Sequence, residues 1–175
     1  MGTLYIDTAG AATNSGSTDS NTPTLTGTSN LVSVVGTTVT LPAGTDLTLV
    51  NATAGSPSQD AINLAAATNT NQKIFWITGK AGSGGATPTV TVSVAPTGTF
   101  PATSWVIGGR HVLTNASIEA TVVAGDTVIF NNSPASAAAT RWTFRNSGTQ
   151  AAGYCKIVGK TGVRPVLTTT DTSVC

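Results

Sequence analysis

His111 is the only histidine in 175 residues. A metal centre built from several imidazoles is therefore excluded, and any Ser-His-Asp triad would rest on this residue alone. No Gly-x-Ser-x-Gly turn is present to expose a nucleophile, and Gly109 and Arg110 form no nucleophile motif with the imidazole. The Arg110–His111 pair reads as a hinge or subunit contact. Paired carboxylates are the tool of glycoside hydrolysis, and the nearest such pair is Glu119 and Asp126. Gly79–Lys80, in TGKAGSGG, lacks the Gly-x-x-x-x-Gly-Lys-Ser/Thr spacing that cradles a phosphate, because Ala81 follows the lysine and the glycines come after it. That segment reads as a hairpin loop. Cys155 and Cys175 are too few for a disulfide framework and read as buried free thiols, with a disulfide as the alternative. The basic run Arg141, Arg145, Lys156, Lys160 and Arg164 reads as one lateral face, solvated or in contact with a neighbour. No residue takes a catalytic, cofactor-binding or metal-binding role on these patterns. The candidate interface residues are Trp105, Arg110, His111, Arg141 and Arg145.

The elements that must position these residues are strands. Charged residues make up 9% of the chain, against about 25% in an ordinary globular domain. Thr, Ala, Ser, Gly and Val dominate, a composition that fits stacked β structure with small-residue turns rather than disorder. Charge is unevenly placed. Residues 1–72 carry four acids (Asp7, Asp19, Asp46, Asp60) and no Lys or Arg, whereas residues 73–175 carry all eight bases and three acids, −4 against +5. Such polarity can orient a module between two different neighbours. No basic cluster interleaved with aromatics appears, so nucleic acid is not an expected partner. No apolar run reaches the ~18 residues of a membrane span. MGTLYIDTAG has neither a basic n-region nor an apolar h-region, and the expectation is a chain made and kept, or assembled, in a cytoplasm.

Residues 1–8 alternate enough for a first strand, and residues 9–30 form a polar tract that reads as an extended arm or a long surface loop. Strand text resumes over 31–50, broken by the PAGTD turn. DAINLAAAT (60–68) fits a helical turn or a strand. KIFWIT (73–78) is the most hydrophobic strand, and TPTVTVSVAP (87–96) alternates strictly, with Val90, Val92 and Val94 on one face. PTGTFPATS (96–104) is linker-like, its two prolines holding the chain extended. It divides a β-sandwich or jelly-roll-like module over 1–100, carrying the polar arm, from a second unit over 105–175. Trp105, beside that linker, is expected at a domain or subunit contact.

The second unit contains three short β-rich runs, Thr127–Asn131, Arg141–Arg145 and Tyr154–Val158, with gaps too long for tight hairpins. AGDTVIF, then TFRNSG, YCKIVGK and GVRPVL, resembles the opening coils of right-handed parallel β-helix proteins, among them polysaccharide lyases and phage tail spikes. The resemblance covers roughly residues 113–170. It implies a capping helix at Asn115–Val122, a turn-capping role for Asp126, and about two coils from Thr127 to Cys175. Two coils alone expose both stack ends, so an intertwined oligomer or further chain is expected. The function implied is that of a tailed-phage virion structural protein: the particle-proximal part of a tail fibre or spike, homotrimeric, bound to other tail or capsid proteins, assembled in the host cytoplasm and not an enzyme. The rivals are a capsid decoration or cement protein and the leading part of a β-helix polysaccharide depolymerase, whose glycan contacts would lie downstream. A bacterial surface adhesin would need a secretion signal.

Overall fold

The structure is a computed structural model that describes residues 2–27, 33–69, 72–100, 104–112, 121–122, 125–131, 148–149, 153–154 and 156–160. Every element among them is a β-strand, so the chain is all-β. The strands are β1 (Thr3–Ala11), β2 (Leu25–Gly27), β3 (Ser33–Val35), β4 (Thr38–Thr40), β5 (Ala61–Leu64), β6 (Ile74–Ala81), β7 (Thr89–Val92), β8 (Trp105–Ile107), β9 (Thr127–Phe130), β10 (Gly148–Thr149), β11 (Gly153–Tyr154) and β12 (Lys156–Gly159).

Seven of these form one antiparallel sheet in the order β2-β8-β5-β6-β7-β4-β3. Strand β6 holds its two halves together. Its first residues pair with β5, and after a register slip between Ile77 and Gly79 its later residues continue along β7. A bulge of this kind bends a strand and increases its twist. The sheet curls so that side chains of both halves share one core: Ile62, Leu64, Phe75, Trp105 and Ile107 from one, Val39, Val90 and Val92 from the other. Each large side chain buried in this way contributes roughly 2 kcal/mol of transfer free energy.

A second core lies behind β5 and β6. Ala61, Ile74 and Trp76 point away from the curl and pack with Leu4, Ile6, Val122, Val128 and Phe130. All four residues of β5 and the first four of β6 are buried, which is why KIFWIT is apolar without alternation: a strand covered on both faces has no solvent side. What covers the back is a parallel sheet, β1-β9-β12. Leu4 aligns with Val128 and Ile157, and Tyr5 with Ile129 and Val158. The buried Asp126 carboxylate pins the two layers, accepting a 2.6 Å hydrogen bond from Gly2 N and one of 3.2 Å from Trp76 Nε1.

Several expectations are corrected here. Of the 60–68 stretch, left between a helical turn and a strand, Ala61–Leu64 form strand β5. The strand text at 47–50 is a loop, with Leu47 and Val50 buried and Leu49 exposed. Strand β7 ends at Val92, leaving Val94 exposed. Within the linker-like segment Pro96 is buried and Phe100 is in the first core, while residues 97–99 are exposed. Sheet membership does not follow the 100/105 division: β8 lies between β2 and β5, and β1 belongs with β9 and β12. Within the polar tract Asn14, Ser15, Gly16 and Ser17 are buried, so this part is anchored, while residues 11–13 and 19–22 are exposed as in a surface loop. Asp126 acts as a long-range pin rather than only as a cap on its own turn. Of the capping helix at 115–122, only Thr121 and Val122 fall within the described residues, and the run 141–145 lies outside them.

Candidate functional site

The polar groups of the molecule converge where the 12–24 segment lies across the ends of β1 and β8. Burial of so many small polar residues requires partners for their backbone and side chains, and the segment after β8 supplies them. Gly16 N donates to Gly109 O (2.8 Å), Ser15 N to Gly108 O (3.1 Å) and Gly108 N to Ser15 Oγ (2.9 Å). Gly108 and Gly109 have φ of 80° and 76°, a left-handed pair that side-chain-bearing residues rarely adopt. A Cβ at Gly109 would also collide with the Asn14 side chain. Asn14 Nδ2 donates to Arg110 O (3.0 Å), and Asn63 Nδ2 donates to Asn14 O (3.1 Å). His111 is 1% exposed, and its Nδ1 lies 2.7 Å from Asn14 O, so this nitrogen carries the donated proton. Burial pushes its pKa below the ordinary 6.5, and the Asn14 hydrogen bond acts in the opposite direction.

Two carboxylates flank this seam. Asp60 is buried, accepting from Ser17 Oγ (3.0 Å) and from Asn51 N (2.8 Å). Burial raises its pKa, and those bonds and the Lys80 charge counter the shift only in part. Asp19 is the hub of an ion cluster. Arg110 reaches it through Nε (2.8 Å) and Nη2 (2.7 Å), Asn131 through Nδ2 (2.8 Å) and Lys160 through Nζ (3.0 Å), while Arg110 Nη1 also meets Asp7 (2.9 Å). Burial pushes the Asp19 carboxyl up, but the hydrogen bonds from Lys160, Asn131 and Arg110 outweigh it and hold it below the ordinary value. The arrangement follows from register. Asp7, Asn131 and Lys160 each come one residue after the aligned Ile6, Phe130 and Gly159, so the three parallel strands deliver them to one end. Asn131 Oδ1 accepts no hydrogen bond among the described residues.

Between the 12–24 and 49–60 segments lies an open cavity of about 440 Å³, lined by Tyr5, Asp19, Leu49, Asn51, Ser58 and Asp60 among others. The Tyr5 hydroxyl is held above its ordinary pKa by burial and then by the Asp19 charge, with Lys160 opposing. Both acids at this cavity already accept hydrogen bonds from the protein's own donors, which gives them a positioning role toward the 12–24 segment. Among the described residues no three His, Cys, Asp or Glu side chains come together to hold a metal ion.

Of the sequence-predicted interface residues, Arg110 and His111 sit side by side in this seam. Trp105 lies in the first core, 3% exposed, where the second half of the chain threads into the antiparallel sheet. Arg141 and Arg145 lie outside the described residues, as do Glu119, Arg164, Cys155 and Cys175. Lys80, read as part of a hairpin loop, is in β6 and donates to the carbonyls of Leu47 (2.7 Å), Thr48 (3.2 Å) and Val50 (2.6 Å). Sequence reasoning missed Asp7, Asp19, Asp60 and Ser17, each of which has a partner between 43 and 141 positions away. The one local signal was Gly-Gly directly before Arg110, a backbone turn that needs close approach. No protein-family model, no curated protein and no solved structure matches the chain.

Proposed function

We propose that this chain is a virion structural protein of a tailed phage, the particle-proximal part of a tail fibre or spike, acting as a homotrimeric attachment module rather than as an enzyme. The observation that carries the reading is the in-register parallel ladder. Thr127 of β9 pairs with Lys156 of β12, 29 positions later, and the same strand pairs with β1 on its other side. Parallel in-register pairing is the feature that such a ladder shares with the coils of a parallel β-helix, and a curled antiparallel module in the same chain suits an adaptor. The composition agrees with this, being poor in charge and rich in Thr, Ser and Gly.

A stack of few windings leaves apolar rows uncovered, and trimerisation covers them. Light scattering on purified residues 1–175 tests the reading: the expected mass is near three times the 17.4 kDa chain. A clean monomer across the micromolar range refutes the trimeric module and favours a decoration protein bound singly to a capsid.

A further inference from the structure

The cavity between the 12–24 and 49–60 segments has a lining whose internal hydrogen bonds leave acceptor capacity unspent. Asp60 lines it while being 3% exposed, and among the described residues no cation contacts its carboxylate. Both oxygens accept, one from Ser17 Oγ and the other from Asn51 N, which is the pattern of an ionised carboxylate. Each oxygen keeps a further lone pair. Lys80, whose charge reaches Asp60, spends its three protons on the carbonyls of Leu47, Thr48 and Val50. Asp19 is different: Arg110 and Lys160 already match its charge, so it shapes the wall without adding attraction. The hydroxyls of Tyr5 and Thr24 also line the cavity and make no hydrogen bond among the described residues. No lysine, arginine or histidine is part of the lining, whereas Leu49, 78% exposed, and the exposed Pro57 are.

We propose that this cavity binds a primary alkylammonium group, with the ammonium on Asp60 and its aliphatic stem along Leu49 and Pro57. An ammonium has three donors and no acceptor, which suits a wall whose open capacity is carboxylate and hydroxyl oxygen. A buried carboxylate without a contact cation is costly, and the bound ammonium offsets that cost. An anion would face the Asp60 charge, and no three acids, histidines or cysteines among the described residues converge to hold a metal ion. The volume of about 440 Å³ lies within the ~300–1,000 Å³ of small-molecule sites. The same chemistry is carried by a lysine side chain of a partner protein and by a free diamine. The site does not depend on the trimeric reading above.

The test is an amide NMR titration of the full chain at low salt with n-butylammonium, diaminobutane and Nα-acetyl-lysine methylamide, with n-butanol as the neutral control. The ammonium probes shift the Ser17, Asn51 and Asp60 amides saturably, and butanol does not. Asp60→Asn keeps the side-chain shape but loses the charge, and weakens binding about tenfold. Leu49→Ser, at an exposed loop position, weakens n-butylammonium about threefold and leaves methylammonium unchanged. Tighter binding of the lysine derivative than of diaminobutane assigns the site to a partner protein, and the reverse assigns it to a free diamine. The site is overturned if no ammonium probe saturates, if butanol shifts the same amides as strongly, or if both variants bind as the native chain does. Should Asp60→Asn fail to fold, Leu49→Ser and the butanol control decide the matter by themselves.

Discussion

Replacing Asp126 by alanine tests the joint between the two layers. The carboxylate is buried and receives two donors that are distant from it in sequence, Gly2 N and Trp76 Nε1. Removing it leaves both N–H groups inside with no acceptor. Each stranded donor costs about 1–3 kcal/mol, and because the two share one side chain their costs overlap, so the expected loss is about 3 kcal/mol. For a chain of this length, at 2–4 °C per kcal/mol, that corresponds to a fall in Tm of roughly 6–12 °C. Asp126→Asn should lose less, since one amide oxygen still accepts while the NH2 group faces the other donor. The decisive measurement is a double-mutant cycle by urea denaturation, followed by circular dichroism. Trp76→Phe removes one donor in advance, so Asp126→Ala should cost about 1 kcal/mol less on that background. Strict additivity, or an Asp126→Ala loss below about 0.5 kcal/mol, which is the scale of an ordinary surface change, would refute the pinning argument.

His111 gives a pH dependence. Its folded-state pKa lies below the ordinary 6.5 because of burial, so the unfolded chain takes up the proton first. Stability from this group is full above about pH 6.5 and is lost as the pH falls through that value toward the folded pKa. Urea midpoints at about pH 7.5 and 5.5 should differ less in His111→Gln than in the native protein. Lys80→Met removes the donor shared by three carbonyls of the 47–50 loop. Because the ammonium is exposed, the global cost is small, about 1 kcal/mol. The expected signature is local: faster hydrogen exchange at the Leu47 and Val50 amides, with the β5 amides unchanged.

The all-β fold was legible in the chain because β-branched residues recur in short runs between Gly, Pro and Ser. Strand β7 was the clearest case, with Val90 and Val92 inward and the threonines outward. Strand β6 was legible as a strand but not as a doubly covered one, since an unbroken apolar run does not say what lies on each side. The polar tract at 14–17 misled because burial of Asn, Ser and Gly is decided by distant partners such as Gly108, Gly109 and Asp60, which no local pattern records. The same reason hid the ion cluster. Arg110 attracted notice only through its neighbours, while Asp7, Asp19 and Lys160 read as isolated charges until parallel register brought strand ends together. Trp105 was assigned to a contact because it follows a proline-rich stretch, and it lies in the first core together with Phe100 of that stretch.

The pairing of β1 with β9 has a consequence for synthesis. Strand β1 is made first, yet its ladder partner and the carboxylate that holds Gly2 lie 124 positions further along. At 5–20 residues per second a ribosome needs roughly 6–25 s to supply them. During that interval Leu4 and Ile6 are on a chain that already contains β5 and β6, whose back faces wait uncovered. The antiparallel curl can close before the parallel layer exists, so the layer that joins the earliest and latest described strands is assembled last. A nascent chain halted before Asp126 would therefore expose Trp76 and Ile74, the surface that a chaperone or a neighbouring copy would meet.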